Sequence, residues 1–279
     1  METTRHAEDL SLNTDFVRTL LVGFIRDETR QAGFERVVLG LSGGIDSTVA
    51  AFLACEALGV GHVTGVIMPY RTSSPASRED AELVARHLGM AAPLVDISPM
   101  VDAYLGPAGV TDRVRAGNVM ARQRMIVLYD ISSRDRALVL GTSNKTEVLL
   151  GYGTLHGDMA CALNPLGDLY KTQVWQLAGA LGVPERIIRK RPSADLWEGQ
   201  TDEGELGFTY AEADRLLYYM IDERRNDGEL AGLGFDLRLV QNVKEMVRKN
   251  QFKRRPPLIA KVSNRTVNVD FRYARDWGI

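Results

Sequence analysis

Ser42, Gly43, Gly44, Asp46 and Ser47 are spaced to grip a polyphosphate. Two adjacent glycines let backbone N–H groups approach an anion closely, and a helix starting just after them adds partial positive charge. The hydroxyls of Ser42 and Ser47 can donate to phosphate oxygens. Asp46 is itself an anion, so its place in the turn implies a divalent cation between it and phosphate. The alternative is a glycine-rich connection that only turns the chain. Two serines and an aspartate at this spacing, directly behind the apolar run that starts at Arg36-Val37-Val38, favour nucleotide binding.

The Gly-Lys-Ser/Thr ending of a Walker A loop is missing. The stretch from Leu39 to Thr48 instead resembles the pyrophosphatase loop of enzymes that split ATP between its α and β phosphates. A second constellation lies between residues 140 and 173: Gly141-Thr142-Ser143-Asn144-Lys145-Thr146-Glu147, then Gly157-Asp158, then Asp168 to Gln173. Thr142 and Ser143 follow a strand and can bond a nucleotide edge. Glu147 falls early in the next helix, where a carboxylate is favoured simply by the helix dipole. It is either a cap or a magnesium ligand beside Asp46; magnesium sites commonly use one or two carboxylates plus substrate phosphates. Lys171 reads either as a surface cation on an amphipathic helix or as the group that neutralises a departing pyrophosphate. Two unit charges about 4 Å apart interact by roughly 4 kcal/mol at an effective dielectric near 20.

These side chains need a frame. Short β-rich runs are expected at Arg36 to Leu41, His62 to Met68, Pro93 to Ile97 and Ala137 to Leu140. Helical stretches are expected at Asp15 to Ala32, Thr48 to Leu58, Ser77 to Leu88 and Asn118 to Ser133. The first of these would turn Phe16, Leu20, Leu21, Phe24 and Ile25 inward. Nearly continuous apolar strands alternating with helices predict an α/β fold, Rossmann-like, with a parallel sheet covered on both faces. Ligands in such folds sit at the C-terminal ends of the strands, where both constellations fall. After Lys171 the pattern becomes helical, with Thr172 to Leu181 and Tyr210 to Asn226 the clearest cases. Between them a polar, glycine-rich segment of about 191–209, with Trp197 near its middle, reads as a lid that closes on something.

The 279 residues suffice for one large domain, and 45% apolar with 25% charged residues is ordinary for a globular protein. A net charge of −2 offers no global attraction to nucleic acid or to an anionic membrane. The two cysteines, Cys55 and Cys161, have no metal-ligand spacing and suggest a reducing compartment. With no apolar leader or spanning run, a cytoplasmic protein is expected.

Taken together, these motifs resemble the ammonia-dependent NAD synthetases, ligases that amidate nicotinic acid adenine dinucleotide (deamido-NAD). The matching stretches are Gly40 to Ser47, Gly117 to Met125, Gly141 to Glu147, Asn164 to Gln173, Pro192 to Leu196 and Gln200 to Glu203, within about Phe16 to Pro257. The resemblance implies a single domain over 1–279 with an adenine nucleotide alpha hydrolase-like fold and a tail of about 251–279. It implies ATP contacts from Gly40, Leu41, Ser42, Gly43, Gly44, Ile45, Asp46, Ser47, Thr142, Lys171 and Ser193. Asp46 and Glu147 would hold Mg2+, with Lys171 completing the catalytic set, and Arg122, Asp158 and Lys253 would touch deamido-NAD. A homodimer with the dinucleotide near its interface is also implied.

The chain departs from the family pattern in places. Leu155 and Ala162 stand where many members carry a lysine and a second aspartate, and Phe252-Lys253 replaces a usual His-Lys pair. The basic run Lys244, Arg248, Lys249, Lys253, Arg254 and Arg255 either meets the substrate pyrophosphate or is a solvated helix face. The expected chemistry is adenylation of the nicotinate carboxylate, then attack by ammonia, free or delivered by a separate subunit. A tRNA thiolase using the same ATP chemistry would call for reactive cysteines and a basic domain. A non-catalytic nucleotide sensor would have no need to keep Asp46, Glu147 and Lys171 together.

Overall fold

The structure, a computed structural model, describes residues 10–197, 199–255 and 257–266. Its centre is a parallel sheet of β1 (Arg36–Gly40), β2 (Val63–Val66) and β3 (Ala137–Val139), in the order β2-β1-β3. Alternation along β1 sends Val37 and Leu39 into one apolar layer and Val38 into another. The first layer is closed by α1 (Thr14–Gln31), α2 (Ile45–Leu58), α3 (Pro75–Leu88) and α7 (Lys171–Leu181). The second is closed by α4 (Ser98–Leu105) and α5 (Arg113–Asp135). Helix α2 is apolar all round and lies between the sheet and α1, which explains why residues 47 to 55 are all buried.

Several expectations are corrected. Pro93 to Ile97 is not a strand: it runs beside β2 through isolated parallel bridges at Thr64–Ala91 and Ile67–Leu94. Pro93 has no N–H to give a ladder, so pairing is carried by Ile67 N–H to Pro93 O (2.9 Å) and Val95 N–H to Ile67 O (2.8 Å). Helix α1 buries Leu21, Ile25 and Thr29, one turn apart, and leaves Phe16 and Leu20 exposed. Helix α2 starts three residues before the expected Thr48, so Asp46 and Ser47 belong to its first turn. The stretch from Tyr210 to Asn226 is two pieces: α10 (Tyr210–Leu217), then a π turn over Tyr218–Asp222.

The remaining helices are α6 (Lys145–Leu150), α8 (Glu185–Ile188), α9 (Asp202–Leu206), α11 (Asp227–Gly232) and α12 (Leu237–Lys249). Helix α8 adds Ile187 to the first layer, whereas α6, α9, α11 and α12 join α10 in burying a third apolar cluster around Tyr170, Tyr210, Leu216, Leu230 and Val240. This is the helical C-terminal part expected from the sequence. It packs on the N-terminal turns of α6 and α7, and so on the C-terminal edge of the sheet.

Candidate active site

The phosphate-type loop leaves β1 at Gly40 and enters α2 at Ile45. Gly43 takes φ +74°, and a Cβ there would stand 2.2 Å from Ser77 O, so only glycine lets the loop pack on α3. The loop is held by its own hydroxyls. Ser42 and Ser47 Oγ lie 3.0 Å apart, Ser47 Oγ donates to Gly44 O (3.1 Å), and Ser42 Oγ accepts from Gly44 N–H (3.2 Å). The serines expected to meet phosphate thus also set the curvature of the turn.

Across the sheet edge, α6 brings up the second constellation. Asn144 is fully buried and caps α6: its Oδ1 accepts from Glu147 N–H (3.0 Å), while its Nδ2 donates to Asp46 Oδ1 (2.9 Å). Glu147 Oε2 accepts from Asn144 N–H (3.3 Å), and Glu147 Oε1 lies 3.5 Å from Lys171 Nζ. Lys171 Nζ also donates to Asp46 Oδ2. Glu147 is therefore both a cap and a member of the charged cluster, one oxygen serving each role. The two carboxylates come from different strand ends and meet on one ammonium that is 2% exposed.

Burial sets the electrostatics. Desolvation, then the adjacent Asp46 charge, push the Glu147 carboxyl up to about 8. Burial pulls the Lys171 ammonium down, but Asp46 and Glu147 more than offset it, leaving it above the ordinary lysine value. Asp202 adds a third nearby carboxylate, raised by burial, which accepts from Tyr152 Oη (3.1 Å) and Tyr210 Oη (3.0 Å). Three carboxylates crowded around one ammonium beside a polyphosphate loop fit a hard divalent cation, whose binding would displace the Glu147 proton. Among the described residues no group of three or more His, Cys, Asp or Glu side chains is arranged to hold a metal alone. Asp46 and Glu147 would then form a two-carboxylate set completed by substrate oxygens.

A cavity of about 830 Å³ opens at this edge. Gly40, Leu41, Ser42, Gly44, Ile45, Asp46, Ser47, Thr142, Glu147, Asp158, Lys171, Ser193 and Lys253 all line it. Gly43 does not, because it faces Ser77. Arg122 does not either: it is exposed on the outer side of α5, with Nε donating to Leu155 O (3.2 Å). Arg124 lines the cavity instead, donating to Met68 O (3.0 Å) and pulled down by burial. Two helical positions differ by about 200°, so Arg122 and Arg124 face opposite ways. The apolar positions Ala121, Met125 and Leu128 carried the signal for which side of α5 is inward.

The segment 191–209 crosses the cavity mouth, with α9 inside what was expected to be loop. Asp195 accepts from Ser74 N–H (3.1 and 3.0 Å), and Leu196 seats so closely on Gly117 that a Cβ there would be 2.8 Å from it. Trp197 lines the cavity. Lys190, at the root of the segment, donates to Asp80 (2.9 Å), Ser77 Oγ (3.1 Å) and Gly43 O (3.3 Å), tying segment, α3 and loop together.

The basic run fits neither expectation as a whole. Lys244 pairs with Asp227, and Lys249 with Glu245 (2.8 Å). Lys253 Nζ donates to Gly151 O (2.7 Å) and Gly153 O (2.8 Å), and Arg254 donates to Val148 O (3.2 Å) and Leu149 O (2.7 Å). These two cations finish the C-terminal end of α6. Asp158 accepts from Thr154 N–H (2.9 Å) and is raised by burial. Leu155 and Phe252, both departures from the family pattern, line a second, smaller cavity with His156, Arg248, Lys249 and Arg255. Ala162 is exposed, with its N–H on Val139 O (2.9 Å). The last residues of the tail, from 267 on, lie outside the described residues.

The model of the NAD synthase family matches residues 17–257. An NH(3)-dependent NAD(+) synthetase of Trichlorobacter lovleyi is 57% identical over 96% of this chain and 98% of its own. Among solved structures, the NMN synthetase of Francisella tularensis superposes with a TM-score of 0.81 at 33% identity, covering 90% of this chain and 99% of that one. The NH3-dependent NAD synthetase of Campylobacter jejuni gives 0.78 at 35% identity, covering 90% and 100%. A glycine loop, two converging carboxylates and a buried lysine at a parallel sheet's edge thus coincide with a family match over residues 17–257, and the chain belongs to the NAD synthase family.

Proposed function

We propose that the chain amidates the nicotinate carboxyl of deamido-NAD with ammonia, coupled to cleavage of ATP into AMP and pyrophosphate. The observation that carries this reading is the meeting of Asp46, Glu147 and Lys171 beside the loop Ser42 to Ser47. A relative named as ammonia-dependent, aligned over nearly the whole of both chains, supports ammonia as the nitrogen donor.

The chain's own groups would act as follows. Gly40, Leu41, Gly44, Ile45, Ser42 and Ser47 bind the triphosphate through N–H and hydroxyl donors, Thr142 bonds the nucleotide edge, and Ser193 closes from the lid. Asp46 and Glu147 would hold Mg2+, which supplies charge neutralisation at the phosphates. A nicotinate carboxylate oxygen attacks the α-phosphorus, the bond to the β-phosphate oxygen breaks, and Lys171 stabilises the charge gathering on that oxygen. Ammonia then adds to the acyl carbon, loses a proton, and expels AMP. No side chain forms a covalent bond in this sequence. Asp158, Lys253 and Arg124 face the cavity where the nicotinate half would lie, and the 191–209 segment keeps water from the acyl-adenylate.

Arg122 points away from the protomer's cavity, on a face of α5 that also exposes Ile126 (58%) and Tyr129 (45%). This favours a homodimer in which α5 lies at the interface and Arg122 meets the dinucleotide there. Two free cysteines are consistent with a cytoplasmic enzyme, and among the described residues no helix is long and apolar enough to cross a membrane.

The test is to incubate the protein with ATP, magnesium, ammonium and deamido-NAD, and to follow NAD, AMP and pyrophosphate. Equal amounts of all three are expected. Pyrophosphate release with unrelated carboxylates, and none with deamido-NAD, would assign the chain to another amidation. Nicotinic acid mononucleotide belongs in a parallel arm, because a structural neighbour is named as an NMN synthetase; faster turnover of it would make the mononucleotide the substrate.

A further inference from the structure

Helices α6 and α7 carry the charged pair of the site on their first turns, Glu147 third in α6 and Lys171 first in α7. Nothing in the sequence spacing says what holds those two turns together. In the structure the tie is a fully buried carboxylate from the helical C-terminal part, Asp214 on α10. Its Oδ1 accepts from Thr146 Oγ1, and its Oδ2 accepts from Thr172 N–H (2.7 Å). Thr146 Oγ1 in turn accepts from Lys171 N–H (3.0 Å). Thr146 and Thr172 are the second residues of their helices, so one carboxylate takes a donor from each N-terminal turn. Burial pushes the Asp214 carboxyl up, and the hydrogen bonds from Thr146 and Thr172, with the Lys171 charge nearby, oppose that shift.

We propose that Asp214 is a positioning residue for the ligase chemistry, fixing the separation of Glu147 and Lys171 through Thr146 and Thr172. It touches neither substrate nor the reacting atoms and does not line the cavity. The π turn that follows α10 extends the same device outward. Asp222 accepts from Tyr170 Oη (2.7 Å) and Lys145 Nζ (2.9 Å), the residues immediately before Lys171 and at the start of α6. The C-terminal helices thereby act on the chemistry from behind, by holding the two turns in register.

The proposal rests on the ligase reading, and the experiment separates the two. If wild-type protein forms no NAD from ATP, ammonium and deamido-NAD, the reading fails before any variant is measured. Given wild-type turnover, Thr146→Val keeps the shape of the side chain and removes the shared hydroxyl, and Asp214→Asn keeps the shape and removes one acceptor. Each variant is expected to lower kcat by at least tenfold while KM for ATP stays within twofold, at temperatures well below its own Tm. The double variant is expected to lose little more than the worse single one, because both cut the same tie. Restoring a hydroxyl with Thr146→Ser is expected to recover most of kcat. Should Asp214→Asn not fold, Thr146→Val and Thr146→Ser decide alone. Folded Thr146→Val with wild-type kcat, or with KM for ATP raised and kcat unchanged, would overturn the proposal.

Discussion

The two sides of the cavity are built on different plans. On the nucleotide side, the loop from Ser42 to Ser47 fixes its own curvature with hydroxyls only a few residues apart. Asp46 is locked from two directions, by Asn144 and by Lys171. On the side proposed for the dinucleotide, Arg124, Asp158, Lys253 and the 191–209 segment come from distant parts of the chain, and the polar atoms of the first three are largely engaged with backbone. Lys253 bonds Gly151 and Gly153, Arg124 bonds Met68, and Asp158 bonds Thr154. The nucleotide side is a compact electrostatic device that a single substitution can disable. On the other side, each cation that would meet substrate is already bonded to the scaffold. Two departures from the family pattern, Leu155 and Phe252, lie outside that cavity and meet around the smaller second one.

Asp46→Asn strikes the first plan hardest. It removes a charge that both Lys171 and a divalent cation would use, and NAD formation should fall to background at ordinary magnesium while circular dichroism stays native. Turnover near wild-type would remove Asp46 from the metal. Lys171→Ala should follow, lowering kcat by ~10²–10³ with little change in KM for deamido-NAD, as expected for a donor acting on charge that develops only during reaction. A rise confined to KM would make Lys171 a ground-state contact and erase much of the contrast between the two sides.

A pH experiment sharpens the same contrast. The Glu147 carboxyl stands at about 8 against an ordinary 4.5, through burial first and Asp46 second. The unfolded chain therefore releases this proton before the folded one does. The group's contribution to stability is fully present below about 4.5 and is lost as pH rises through about 8. Magnesium must displace that proton, so apparent magnesium affinity should climb by up to about tenfold per pH unit below 8 and level off above it. Glu147→Gln should flatten that dependence. Calorimetric magnesium titrations from pH 6 to 9 measure it; an unchanged slope in the variant would place the titrating proton elsewhere.

The nucleotide side was legible in the sequence because its signal is local. An apolar strand, two glycines and a helix start occupy one short stretch, and the physics of anion binding needs little else. Pairing Asp46 with Glu147 was not legible from spacing: it depends on β1 and β3 being neighbours, and on Asn144 reaching from one strand end to the other. The outward direction of Arg122 is not legible from the motif alone, because facing on α5 follows its apolar stripe at Ala121, Met125 and Leu128. The inward face of α1 shifted for the same reason, with Leu21 and Ile25 chosen by packing over the equally apolar Phe16 and Leu20. Pro93 to Ile97 has strand composition but lacks the donor that would have made it one. The break of Tyr210 to Asn226 into α10 and a π turn has no periodicity signal, since the apolar pattern continues through it.

The smallest effect tests whether a cation can serve scaffold and substrate together. Lys253 Nζ donates to Gly151 O and Gly153 O, next to Asn250 Nδ2 on Leu150 O (2.8 Å) and Arg254 on Leu149 O. Gly151 (φ +69°) is so close to Asn250 that a Cβ would lie 2.2 Å from it, so this junction cannot relax freely. Burial lowers the Lys253 ammonium while Asp158 opposes the shift, which places the charge between scaffold and cavity. Lys253→Met keeps the stem and removes the donors. The loss of a charge-assisted bond at a helix end is worth about 1 kcal/mol, hence a Tm lower by roughly 2–4 °C. KM for deamido-NAD should rise about fivefold with KM for ATP unmoved, as a lost contact of that size dictates. If Tm falls and neither KM changes, Lys253 belongs to the scaffold alone. If both KM values rise together, the C-terminal end of α6 is transmitting strain to Glu147, and the two sides are one mechanical unit after all.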